Sequence, residues 1–254
     1  LNQKFESEGN PLTPAYRYHK RLHEEQRKLV HESGFGELYP DMKQFYLDQQ
    51  EIHGAANKRM IEAVRANPDV DGYCIHALSA GDWILGAGLI DLWRNPKSYA
   101  YEGTKEANQA QIVSIRVQPR NVYARQNATL EIIGINDLSN ETALLEVKIE
   151  SAAGGKPVYS KSQNVNYKHR VSQLLADNIQ SIALEGSYTI TATITSEDGR
   201  VLTSNTHAFE VFKDETLLIV KTKVGVMDVE GPVARHLKKM GAKTKKSIPE
   251  PILK

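Results

Sequence analysis

From Gln111 to Phe212 the chain alternates apolar and polar residues in one short run after another, and this pattern constrains the fold more than any other feature. "QIVSIRVQP" (Gln111 to Pro119), "ATLEIIGIND" (Ala128 to Asp137), "ALLEVKIES" (Ala143 to Ser151), "GSYTITATITS" (Gly186 to Ser196) and "RVLTSNTHAFEVF" (Arg200 to Phe212) each contain period-two segments. Successive side chains of a strand point to opposite faces, so such runs predict strands with one face buried. Turn-forming clusters such as "SAAGGKP" and "SEDGR" separate them. Several short strands with turn signals between them predict a β-sandwich of the immunoglobulin kind. Cys74 is the single cysteine, so this reading rests on pattern and not on a disulfide framework.

The flanks have a different texture. "PDMKQFYLDQQEIHGAANKRMIEAVRANPDV" (Pro40 to Val70) reads as a long helix, with Pro40 near its start and Pro68 past its end. Phe45, Ile52, Ala55 or Ala56, Met60 and Val64 recur at three- and four-residue steps and predict its apolar face. Before it, Lys28-Leu29-Val30-His31 reads as a short buried strand ending on Glu32, with glycines that turn the chain just after. After it, Tyr73 to Leu78 reads as a strand buried on both sides, followed by a turn at Ser79-Ala80-Gly81 and a helix beyond Pro96. Strand, glycine-rich loop and helix, twice over, predict two β/α units, which need further elements to complete a covered sheet or barrel. In the tail, "KVGVMDV" reads as a strand and "GPVARHLKKMG" as a helix from Pro232 to a stop at Gly241.

The formal net charge of +1 argues against a dedicated nucleic-acid binder. No apolar run is long enough to span a bilayer, so no membrane partner is expected. Among chemistry-bearing residues, Glu32 stands first. A carboxylate closing a buried strand is costly unless paired or functional, and the C-terminal strand ends of a (β/α)8 barrel are where active-site residues project. The alternative is a carboxylate satisfied by a nearby lysine or arginine. Trp83 in "SAGDW" could stack on a sugar ring or pack in the core. Asp82 beside it could hold a hydroxyl or serve a turn.

The order "RKLVHESGFG", a long helix, then "DGYCIHALSAGDWILGAGLIDLWRNPKSYAYEGTKEANQ" resembles the end of the catalytic barrel in glycoside hydrolase family 2, the family of β-galactosidases, β-mannosidases and β-glucuronidases. In that resemblance Glu32 matches the nucleophile at the end of the seventh barrel strand, and Gly72-Tyr73 match the eighth strand. Gly88-Leu89-Ile90-Asp91-Leu92-Trp93-Arg94-Asn95-Pro96-Lys97 match the run that leaves the barrel for the sandwich. His31 stands where the family has serine, and Ser33-Gly34 separate Glu32 from Phe35. The resemblance implies a multi-domain α/β plus all-β chain. Residues 1–109 would be the last β/α units of a (β/α)8 barrel, 110–214 an immunoglobulin-like sandwich, and 215–254 the start of a further α/β unit. It implies a retaining glycosidase acting on β-galactoside-like substrates, with Glu32 as nucleophile and Tyr73, His76, Asp82 and Trp83 lining the sugar pocket. No cofactor and no metal are implied, and a periplasmic or secreted location is favoured.

Retaining hydrolysis needs two carboxylates about 5 to 5.5 Å apart. The family's acid/base glutamate follows an asparagine on the fourth strand, whereas Asn140-Glu141 falls in a turn of the sandwich. The chain is therefore expected to be the C-terminal part of a larger enzyme, inactive by itself and partnered by the remaining barrel segment. The competing expectation is a non-catalytic carbohydrate-binding or interaction module with a degenerate barrel. Other signals read as bland: His19 and His23 as a solvated helix face and not a zinc pair, Cys74 as buried packing, and "RHLKKMGAKTKK" as a solvated basic face.

Overall fold

The computed structural model describes residues 2–9, 13–79, 88–91, 93–179, 185–213, 224–226, 231–239, 241 and 244–246. Helices α1 (Asn2–Ser7), α2 (Pro14–Glu32), α3 (Met42–Arg65) and α4 (Ser98–Ala107) precede eight strands, β1 (Gln111–Gln118), β2 (Val122–Tyr123), β3 (Ala128–Asn136), β4 (Glu141–Ser151), β5 (Tyr159–Tyr167), β6 (Arg170–Ile179), β7 (Gly186–Ser196) and β8 (Val201–Phe212). Strand β9 (Val224–Val226), α5 (Pro232–Lys239) and β10 (Thr244–Lys246) follow, with β9 and β10 parallel, so the strand-then-helix reading of the tail holds.

The strands build a two-sheet sandwich. One sheet has the order β1-β3-β6 and the other β2-β8-β7-β4-β5. Inward residues of both sheets, among them Leu130, Ile132, Leu145, Val147, Ile149, Ile190 and Ile194, form one buried cluster. The alternation of β4 and β7 in the sequence is the alternation of their burial. At one open edge the Asn205 side-chain amide donates to Val113 O at 2.7 Å, tying β8 to β1. At the other, Asp177 on β6 accepts from Tyr159 Oη at 2.9 Å and pairs with Lys161 at 3.0 Å, both on β5. Those bonds, Lys161 first, hold the Asp177 carboxyl below its ordinary range.

The sandwich carries the helical pair on its outer face. Ala66, just past α3, packs with Ile112, Ile133 and Ile135 in a second apolar cluster outside the main core. Arg65 fixes the junction: its guanidinium donates to Ala107 O at 2.5 Å, Gln109 O at 2.8 Å and Asp137 Oδ2 at 2.8 Å.

Two expectations for the first 109 residues are corrected. Lys28 to His31 is not a strand but the last turns of α2. Thr13 caps that helix and Pro14 opens it. Glu24 to Leu29 are good helix formers, and Arg21–Glu25 and Lys28–Glu32 are i,i+4 pairs. A two-residue apolar run with no neighbouring strand among the described residues cannot compete. Tyr73 to Leu78 has no regular secondary structure either; its continuation meets the chain again through an isolated parallel bridge between Ser79 and Ile90. The barrel β/α units are thus absent among the described residues. Gly34 does turn the chain after Glu32, at φ 84°.

The apolar face of α3 is corrected as well. Ile52 and Met60 are exposed, and the buried side is Gly54, Asn57, Ile61 and Glu62. Gly54 and Gly103 bring α3 and α4 together backbone to backbone: a Cβ on Gly54 would lie 2.4 Å from the Tyr99 carbonyl, and one on Gly103 would lie 2.8 Å from Gly54 O.

Candidate functional site

Glu32 sits at the exposed C-terminal end of α2, its carboxylate 3.6 Å from Lys28 Nζ. It lines neither of the two clefts described below. Tyr73 is 40% exposed and donates its hydroxyl to Asn108 Oδ1 at 2.5 Å. His76 is exposed in the irregular segment, and its peptide to Ala77 is cis. Asp82 and Trp83 lie outside the described residues. Cys74, expected in a buried strand, is exposed, because the segment that carries it is not a strand.

The described residues of the exit run, 88–91 and 93–97, form a hydrogen-bonded loop. Leu78 O accepts from the N–H groups of both Leu89 and Ile90, at 2.9 and 3.0 Å. Asp91 is its hub: Oδ1 accepts from the Trp93 and Asn95 N–H groups, and Oδ2 from the Asn95 amide at 2.9 Å. Burial would lift the Asp91 carboxyl, but the Asn95 and Trp93 donors outweigh it and hold it below its ordinary range. The spacing "DLWRN" thus encodes an aspartate-closed turn that delivers Lys97, buried, to the start of α4.

His19 is buried, 3% exposed, with neither ring nitrogen hydrogen-bonded, so it is a packed residue of α2 and not part of a solvated face. His23 lies with Nδ1 3.3 Å from Tyr46 Oη. Among the described residues no group of three or more His, Cys, Asp or Glu side chains could hold a metal ion.

Two clefts open between the helical pair and the sandwich. The larger, about 420 Å³, is lined by Lys58, Glu62 and Glu106 on the helix side and by residues of β1 and β8 on the other. Sequence reasoning missed Glu62. Its signal is a lone carboxylate among Ile61, Ala63 and Val64 in the last turns of a long helix. Glu62 Oε1 accepts from Asn205 Nδ2 at 3.0 Å and Oε2 from Ser114 Oγ at 3.4 Å. Lys58 is committed to Glu106 at 2.7 Å. Burial raises the Glu62 carboxyl above its ordinary value, against the pull of Lys58 and the two hydrogen bonds.

This buried carboxyl makes docking of α3 on the sandwich pH-dependent. The fold accommodates protonated Glu62 better than ionised Glu62. Its contribution is therefore complete below the ordinary glutamate value of about 4.3 and drains away as pH rises through the higher folded value. Glu62→Gln keeps an acceptor for Asn205 and removes the charge. Thermal melts of both proteins at about pH 4 and about pH 7 are expected to show the variant gaining stability relative to the parent on going to neutral pH. An unchanged difference would show that Glu62 does not titrate across the junction.

No family model matches the chain, and no curated protein matches it. Solved structures do. The exo-chitosanase CsxA of Amycolatopsis orientalis is 16% identical with a TM-score of 0.49, over 63% of this chain and 18% of that one. A β-glucuronidase 2 of Bacteroides uniformis, covalently bound to cyclophellitol-6-carboxylate aziridine, is 15% identical with a TM-score of 0.32, over 40% of this chain and 14% of that one. The C-terminal domain of wzt is 11% identical with a TM-score of 0.33, over 41% of this chain and 71% of that one. The chain thus spans less than a fifth of the length of the chitosanase and the glucuronidase it resembles.

Proposed function

We propose that the chain is the C-terminal part of a retaining β-glycosidase acting on β-galactoside-like substrates. Residues 1–109 would belong to its catalytic domain, 110–214 to an immunoglobulin-like buttress, and 215–254 to a further α/β unit. The observation that carries the reading is the exit run. In Gly88 to Lys97, the stretch most specific to the resemblance, the described residues form a hydrogen-bonded loop that ties Leu78 to the start of α4, and α4 runs almost directly into β1. Glu32 is the nucleophile in this reading, presented from the C-terminal end of α2. His76, Asp82 and Trp83 belong to the sugar pocket, Tyr73, expected there with them, lines the cleft against the sandwich instead, and the acid/base carboxylate comes from the remaining barrel segment.

The test is trapping with a 2-deoxy-2-fluoro β-galactoside, which leaves a covalent sugar on a retaining nucleophile. Digestion and mass spectrometry of the intact protein should find the adduct on Glu32, while the 254-residue chain alone turns over no aryl β-galactoside. An adduct on a different carboxylate, or steady turnover by the chain alone, rejects this assignment. A second reading is a non-catalytic carbohydrate-binding or interaction module. The exposed, Lys28-paired Glu32, which lines neither cleft, favours it. Sugar binding without any adduct is the result it expects.

A further inference from the structure

We propose that the smaller cleft, about 350 Å³ between the end of α3, Tyr73 and the β5–β6 corner, is a saccharide-binding site separate from Glu32. The inference does not rest on the glycosidase reading; it rests on how six side chains are held.

Tyr73 supplies a flat apolar surface. The residue is 40% exposed, and its hydroxyl is pinned to Asn108, which fixes the ring's orientation before any ligand arrives. Asp137 supplies an acceptor. Arg65 holds one of its carboxylate oxygens, and the Asp137 side chain remains 61% exposed. His169 supplies another acceptor. Its Nδ1 lies 2.8 Å from Leu138 O, which can only accept, so Nδ1 donates there and Nε2 is the ring nitrogen left to meet a ligand. Arg170 supplies the cation, on a backbone at φ 69°. A non-glycine residue in that region costs about 1 kcal/mol or more. The strain is retained at the corner where the chain passes from one sheet to the other, on the wall of the cleft.

A sugar ring asks for this combination. Its C–H face packs on an aromatic surface, and its hydroxyls each donate and accept, so they bridge a guanidinium to a carboxylate or an imidazole. Donors and acceptors already fixed by Arg65, Asn108 and Leu138 lose little freedom on binding. A purely anionic ligand would be repelled by Asp71 and Asp137 in the same cleft, and a purely cationic one by Arg170.

Affinity electrophoresis of the 254-residue chain tests this, with soluble galactan, galactomannan, xylan and chitosan cast separately in native gels and a gel of polyglutamate as the charge control. Retardation is expected in at least one saccharide gel and not in polyglutamate. Tyr73→Ala should weaken it about tenfold, and Tyr73→Phe, which keeps the ring but loses the Asn108 bond, should weaken it less. Arg170→Gly adopts φ 69° without strain, so it stays folded, and should also weaken retardation about tenfold. Migration of the unaltered chain equal in all gels overturns the proposal. So does retardation that survives in Tyr73→Ala or in Arg170→Gly.

Discussion

Gly54→Val is expected to force α4 away from α3 and to destabilise the helical pair by about 3 kcal/mol or more. The clash cannot be relieved by a rotamer. The atoms nearest the new Cβ are Tyr99 C and O at 2.4 Å and Ala100 N at 2.7 Å, all backbone. The whole of α4 must move, and it is held by small buried residues: Ala100 is 0% and Ala107 1% exposed. Moving α4 also breaks what depends on its register, namely the Lys58–Glu106 pair and the Arg65 bond to Ala107 O. Hydrogen exchange followed by peptide should show α4 losing protection while β4 and β7 keep theirs, because the sandwich core is a separate cluster. The contrast is Ile52→Ala on the same helix. Ile52 is 61% exposed, so its loss should change stability by about 0.5 kcal/mol or less. Unaltered exchange of α4 in Gly54→Val would mean that the close approach does not hold the pair together.

That contrast also marks where the sequence is legible. Strands β4, β7 and β8 follow from period-two alternation, since each has one face in the core, whereas β1 and β3 alternate only in part because their second face is buried near Ala66 at the end of α3. Strand β5 was not legible: "YSKSQNVNY" is an edge strand whose outer half touches little, so its sequence is polar on both faces. Strand β6 places the adjacent Leu174 and Leu175 both in the buried set, beside an irregularity in its pairing with β3 at Ile132/Ile133, and alternation fails there. The long helix was legible, but its buried face was not. Reasoning from large apolar residues chose Ile52 and Met60, whereas the seam is made by glycines, whose contribution is the absence of a side chain. For the candidate site, Tyr73 was found by its resemblance to a strand residue, yet the side chain lines a cleft against the sandwich. Its partners Asn108, Asp137, His169 and Arg170 come from four separated places in the chain. Glu32 misled for the opposite reason: an apolar pair before a carboxylate fits the last turn of a helix as well as the end of a strand.

Tyr167→Ala is expected to destabilise the sandwich by about 3 to 5 kcal/mol, the range for removing a buried aromatic side chain. Tyr167 stands on β5 but belongs to both sheets. It is 0% exposed, and its hydroxyl crosses the core to lie 2.9 Å from Ile112 O and 2.7 Å from Ile135 O, on β1 and β3. One proton serves one carbonyl at a time, so the bond is shared between two strands that are paired at these same residues. Burial raises the phenol far above its ordinary value, so it is the neutral donor across the whole accessible pH range. Tyr167→Phe, which keeps the ring, should cost about 1 to 3 kcal/mol, because two buried carbonyls lose their shared donor. The ring itself is seated on Gly134: a Cβ there would lie 2.7 Å from Tyr167 Cε2. Gly134→Ala should therefore be costly beside the native tyrosine and much cheaper beside Tyr167→Ala, which vacates the space. Urea unfolding of the two single variants and the double variant reads this coupling directly. Additive losses would mean that Leu174, whose Cδ1 would lie 2.9 Å from the same Cβ, and not Tyr167 sets the limit at Gly134, and the account of the Tyr167 ring as seated on that glycine would then fail.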